Sequence, residues 1–343
     1  MSFLPGCSRK PTKGQDGEDQ TFGDDLIVFV SDRLPPHDSS LFVMKSDGTI
    51  LNRFWGYDFE AWRTPLLSPG GDKIAITVGH EESSWPMIVN TDGSGAYELA
   101  EGVWFGGVYV GDWMPDGEKL VYHVAAYNAD TAEIGVFMTN PDGSGKLKLD
   151  QGYDPRVCGH DRVVYTRHDG IFIIGINGEG RRRLQETLPG VYVYKPVGSP
   201  DGKRVVFCRA ATLPSSDPVE KEYWLEIINS DSSGHARLAQ FTEIPTFTDI
   251  EFSPEGKRIS LLIGFSWRVG EIYVVNIDGS GLRPLTNNTA HPYGHARWSP
   301  DGRRIAFTSL REGNPEVYSV STNGTPVMRN LTNNPTFDGK PDW

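Results

Sequence analysis

The sequence predicts an all-β chain folded as a seven-bladed β-propeller. Three observations carry that expectation: a repeated turn-strand-turn phrase, seven copies of it in phase, and chain ends that complement each other. Each copy reads S-P-D-G, a short apolar run, a loop, a second run and D-G-S-G. Asp-Gly and Asn-Gly supply the positive φ that tight hairpin turns require, and Pro presets φ early in a turn. The Val, Ile, Phe and Tyr runs between the turns fit half-buried strands.

The elements follow in order. The first turn appears as Ser68-Pro69-Gly70-Gly71, Met114-Pro115-Asp116-Gly117, Ser199-Pro200-Asp201-Gly202, Ser253-Pro254-Glu255-Gly256 and Ser299-Pro300-Asp301-Gly302. The strand after it reads Lys73–Val78, Lys119–Val124, Arg162–Thr166, Lys203–Cys208, Lys257–Leu262 and Arg303–Thr308, with Leu26–Val30 as a seventh copy. The second turn begins at Asp47, Asp92, Asp142, Asn177, Asp231, Asp278 and Asn323. These lie roughly 45 residues apart, as propeller blades do. The third blade is short, because Gly159-His160-Asp161 replaces S-P-D-G. The fourth carries an inserted loop, Arg209–Glu222. Each copy therefore holds four antiparallel strands, A to D. One such sheet cannot bury both faces alone, and radial packing against like sheets solves that. The chain ends on Lys340-Pro341-Asp342-Trp343, which matches a strand A, and the repeats open on a strand B. The last blade is expected to close with strands from both termini, leaving no exposed sheet edge.

The repeats resemble those of the TolB-like propeller family, W-S-P-D-G…I-A-F…D-G-S…L-T, over nearly all of residues 26–343. That family includes periplasmic TolB, the propeller lids of prolyl oligopeptidase-type enzymes and many envelope lipoproteins. TolB itself has six blades and an N-terminal α/β domain, whereas seven repeats are counted here. The resemblance implies a periplasmic or cell-envelope location, with the cytoplasm left open.

Residues 1–25 read as a disordered tether, polar and charged from Ser8 onward. Before it, Leu4-Pro5-Gly6-Cys7 resembles a bacterial lipoprotein cleavage box, so Cys7 is the lipidation candidate and a lipid there the one expected membrane link. Cys158 and Cys208 sit in or beside apolar strands and read as small buried hydrophobes. Three cysteines are too few for a disulfide framework or a Cys-rich zinc site. The 33 Lys and Arg against 45 Asp and Glu give a net charge of −12, which argues against a nucleic-acid partner.

Hydrolase signals are missing: there is no G-x-S-x-G elbow, no P-loop, and His80-Glu81-Glu82 lacks the second His of a zincin. The D-G-S-G turns offer too few oxygen ligands for a calcium loop and read as plain hairpins. His37, His80 and His168 fall in expected B–C loops, and His291 and His295 in the expected loop Asn287–Ala296. D–A and B–C loops share one face of a propeller. That face also gathers Trp55, Tyr57, Trp62, Trp104, Tyr153, Tyr192 and Tyr293. Rigid aromatics with polar neighbours suit an interface hot spot or a sugar platform.

Two functions compete. The first is a non-catalytic, monomeric scaffold that uses this loop face to hold a protein or peptide. The second is a carbohydrate-active or metal-dependent enzyme on the same face, since oligogalacturonate lyases are similar in architecture and use a His-based metal site. No cofactor and no metal ligand set is expected from the sequence, and a divalent ion in the central channel stays open. An oligosaccharide is the alternative ligand.

Overall fold

The computed structural model describes residues 25–33, 39–57, 60–61, 64–80, 83–99, 103–104, 106–126, 134–212, 221–241, 246–266, 269–287 and 292–343. They form seven antiparallel sheets, with no helix among the described residues. Six sheets have four strands each. Blade 1 has the same plan with broken edges. Glu60–Ala61 and Leu66–Leu67 share its inner position, while Tyr97–Glu98 and Val103–Trp104 share its outer one. Residues 1–24, which hold the expected tether and Cys7, lie outside the described residues.

The ring closes as the ends imply. Asp338–Asp342 pairs with Leu26–Ser31, so the C-terminal segment supplies the inner strand of blade 7. Val28 lies opposite Asp342 and Ser31 opposite Asp338. Arg33 adds a clasp, its Nε 3.0 Å from the buried Asp338 carboxylate.

The second strand of each blade departs from the half-buried expectation. All six residues of Leu26–Ser31 are buried. Val28 and Val30 pack with Ile74, Ile76 and Val78 of blade 1. Ile27 and Phe29 pack with Ala306 and Val317 of blade 6. Each face of the strand meets a different neighbouring blade, so the period-2 pattern is apolar on both sides. The core is thus divided among the blade junctions. Cys208 lies in the junction between blades 4 and 5, and Cys158 in that between blades 3 and 4. Both are free and fully buried, and burial pushes the Cys158 thiol up to about 11.

The repeated turns are held by their own side chains. Asp278 Oδ1 accepts from Ser280 N at 2.9 Å and Ser280 Oγ at 2.6 Å, and Gly279 takes φ +83°. Asp92, Asp142 and Asp231 repeat this arrangement. At the other turn, Ser299 Oγ donates to Asp301 Oδ1 at 2.6 Å and accepts from Arg304 N at 2.9 Å. Arg258 reaches the next blade, its Nη2 donating to Gly302 O at 2.8 Å. Its guanidinium lies 4.9 Å from the ring centre of Trp298, a buried residue between blades.

Candidate functional site: the central channel

Seven inner strands surround the axis, and their side chains decide what the channel can do. They are Glu60–Ala61 with Leu66–Leu67, Gly106–Trp113, Tyr153–Cys158, Val191–Gly198, Thr246–Phe252, Pro292–Trp298 and Asp338–Asp342. Each begins on the loop face, and most end at an S-P-D-G turn.

One register position carries most of the charge. In blades 2, 3, 5, 6 and 7 it holds Asp112, Arg156, Glu251, Arg297 and Asp342. The acids there accept a backbone N–H from the next blade. Asp112 Oδ2 accepts from Val157 N at 3.2 Å, Glu251 Oε2 from Trp298 N at 3.0 Å and Asp342 Oδ2 from Leu67 N at 2.7 Å. The last of these bonds spans the junction where the ring closes. Arg156 Nε lies 3.3 Å from Asp112. Arg297 joins two acids, with Nη1 2.6 Å from Asp249 and Nε 3.0 Å from Asp342. Asp249 sits nearer the loop face and also accepts from Ala296 N at 3.1 Å.

Burial sets the protonation of this network. Taking a carboxylate out of water disfavours its charged form, and a nearby cation restores it. At Asp249, the Arg297 guanidinium and His295 overcome burial and hold the carboxyl well below the usual range. At Glu251, burial dominates, Asp249 adds to it, and the carboxyl rises to about 7. At Asp342, burial outweighs Arg297 and the carboxyl rises to about 6. Burial lowers His295, whose Nδ1 lies 3.5 Å from Asp249.

Leu66, Arg156 and Arg297 form a diaphragm that lines two chambers. The chamber toward the S-P-D-G turns has a volume of ≈ 390 Å³ and includes Trp113, Glu251, Asp342 and Trp343. The chamber toward the loop face has a volume of ≈ 110 Å³ and includes Tyr109, His123, Lys195 and His295. Its rim is strained. Asp154 and Lys195 take φ +50° and +51°, each before a proline, at register shifts of neighbouring inner strands. Lys340 before Pro341 repeats the feature at φ +55°. Such bulges re-aim side chains, and left-handed non-glycine residues gather at ligand sites.

The structure separates the aromatics that sequence reasoning grouped. Tyr153 and Tyr192 begin neighbouring inner strands and are 42% and 56% exposed. Tyr293 belongs to a third inner strand, Pro292–Trp298. Trp55 and Tyr57 belong to the outer strand Ile50–Tyr57, and Trp104 to the outer strand Val103–Trp104. Those three residues thus lie in edge strands, away from the strands that ring the axis. The side chains of Trp55, Tyr57, Trp104 and Tyr293 lie outside the described structure, as do Trp62 and His291 altogether. His295 is corrected from a loop to an inner strand, where its ring lines the channel. His168 is exposed at its B–C turn. Among the described residues, no three His, Cys, Asp or Glu side chains form a metal-ligand group.

The charged ring itself escaped the sequence reading. Its signal was available: Asp112, Glu251 and Arg297 each stand two residues before the turn, and Asp342 stands at the same phase.

No family model matches the chain. TolB of Anaeromyxobacter dehalogenans, named as a Tol-Pal system protein, is 39% identical over 121 residues, covering 34% of this chain and 26% of that protein. The structure of TolB from Acinetobacter baumannii superposes with a TM-score of 0.52 at 16% identity, over 94% of this chain and 67% of that one. The chain shares the β-propeller fold of the TolB structure. An oligogalacturonate lyase solved in complex with manganese shares the fold, with a TM-score of 0.61 at 14% identity over 82% of each chain. An uncharacterized peptidase of Bacillus subtilis is 34% identical over 108 residues, 30% of this chain. The chain spans only 16% of that peptidase and 26% of the TolB relative.

Proposed function

We propose that this TolB-like propeller is a non-catalytic scaffold of the bacterial cell envelope that docks a protein or peptide at the loop-face mouth of its channel. One observation carries the reading. Exposed Tyr153 and Tyr192 stand on neighbouring inner strands beside the strained Asp154 and Lys195. Aromatic anchors with charged neighbours on a rigid ring suit an interface centre. Deeper in, Asp249, Arg297 and Asp342 are engaged with one another and with backbone N–H groups. Their work is closure of the ring. The likeness to TolB, a protein named for the Tol-Pal system, supports a protein partner and an envelope location.

The test is affinity capture from the host's envelope extract, with wild type beside the Tyr153→Ala/Tyr192→Ala double variant. Partners held by wild type and lost by the variant are expected. Equal capture by both, with both folded, would overturn the docking site.

A further inference from the structure

We infer that Asn323, in the second turn of blade 6, is a self-modifying site: Gly324 N attacks its side-chain amide, ammonia leaves, and a carboxylate forms at the seam between blades 5 and 6. The chain holds two Asn-Gly pairs, Asn177-Gly178 and Asn323-Gly324, both at the second turn of a blade. A glycine after Asn leaves the attacking nitrogen unshielded, because it brings no Cβ. Local sequence therefore favours the two sites alike, and the fold separates them.

In blade 3 the reacting groups are all engaged. Gly178 N donates to Gly175 O at 2.9 Å, which ties the nucleophile back into the turn. Asn177 Oδ1 accepts from Glu179 N at 3.0 Å, and Asn177 Nδ2 donates to Glu179 Oε2 at 3.1 Å. In blade 6, Gly324 N and Asn323 Nδ2 make no hydrogen bond among the described residues. The cause is legible in the sequence. Five turns place a glycine at φ between +64° and +68° three residues after the turn begins: Gly95, Gly145, Gly180, Gly234 and Gly281. Pro326 holds that place in blade 6, and proline cannot take a positive φ. In blade 5, Asn276 N closes the turn on Ser280 O at 2.9 Å, and Gly279 N donates to Asn276 O at 2.9 Å. In blade 6, Ser321 N reaches two residues further, to Val327 O at 3.0 Å. The wider turn leaves Gly324 N free.

The neighbouring blade supplies a fixed donor. Arg258 Nη1 donates to Asn323 Oδ1 and to Thr322 Oγ1, each at 3.2 Å. Its Nε pairs with Glu255 at 2.8 Å, and its Nη2 holds Gly302 O at 2.8 Å. As Gly324 N bonds to Asn323 Cγ, negative charge gathers on Oδ1, where Nη1 already stands. The Cγ–Nδ2 bond then breaks, and Nδ2 departs as ammonia with the proton that Gly324 N gives up. Water opens the resulting imide at either carbonyl, giving aspartate or isoaspartate at position 323. Around Gly324 a Cβ would meet nothing within 4 Å, so the ring has room to close.

The test holds folded wild type at mildly alkaline pH and digests samples at intervals. Both Asn-Gly peptides are read by mass, and isoaspartate by methyltransferase labelling. Asn323 is expected to deamidate about tenfold faster than Asn177. In urea, where local sequence alone acts, the two rates should converge. Pro326→Gly, which allows the tight turn, and Arg258→Gln, which removes the donor, should each slow Asn323, with melting curves confirming that both variants fold. Equal rates in the folded chain, faster loss at Asn177, or a gap that persists in urea would each overturn the inference. So would an Asn323 rate that neither folded variant changes.

Discussion

The two chambers of the channel share seven strands and one diaphragm, yet their walls do different work. In the S-P-D-G chamber, Asp112, Glu251 and Asp342 each hold the backbone of the following blade. In the loop-face chamber, Lys195 and Asp154 sit on strained bulges. One or two residues of register along a strand separate ring closure from a ligand-sized opening. The difference teaches that a charge in a propeller channel is not by itself a site. What it does depends on which groups the neighbouring blades set against it.

Breaking the diaphragm should have the largest effect. Arg297→Ala strands Asp249 and Asp342 without the cation that bridges them, and Glu251 loses the charge that most offsets its burial. Uncompensated buried charge of this kind costs about 3–5 kcal/mol. Urea denaturation should show that loss, and an unchanged midpoint would mean the network is idle.

A change of pH should sharpen the contrast by an intermediate amount. Glu251 rises from 4.5 to about 7 on folding, and Asp342 from 3.8 to about 6. The folded chain therefore holds more protons than the unfolded chain between those values, so stability falls as pH rises through that window. Asp249 works the other way, because its carboxyl is lowered. Its contribution is present above the ordinary carboxylate range and is lost in stronger acid. Stability should drop between pH 5 and pH 8, and Glu251→Gln should flatten the decline by roughly 2–3 kcal/mol. Melting curves across pH for both proteins test this. A wild-type profile that climbs toward pH 8 would contradict the raised carboxyls.

The smallest effect is expected far from the axis. Asp278→Ala removes one turn's bonds to Ser280 and leaves the strands on either side intact. Its melting temperature should fall less than that of Arg297→Ala. Neither calcium nor a chelator should shift the wild-type melt, since Asp278 is already engaged by Ser280. A large calcium-dependent shift would reopen these turns as ion loops.

The blade count, the turn chemistry and the closure of blade 7 were legible in the sequence. Asp-Gly turns and β-rich runs are local, and seven phased copies multiply a weak local signal. Leu26–Ser31 and Asp338–Asp342 could be matched across the whole chain because both echo the same repeat. The candidate site was only half legible. Aromatics near loops were visible, but Trp55 and Trp104 fall in outer strands while Tyr153 and Tyr192 begin inner ones.

The sequence by itself determined the repeat, and with it the strands, the turns and the closed ring. The tertiary structure alone decided which charges meet. Arg297 and Asp342 are 45 residues apart, as are Asp112 and Val157, and local spacing brings neither pair together. They meet because radial packing sets equivalent positions of successive blades side by side around one axis. Burial there removes the water that would otherwise screen them, so contact between blades fixes both their pairing and their protonation.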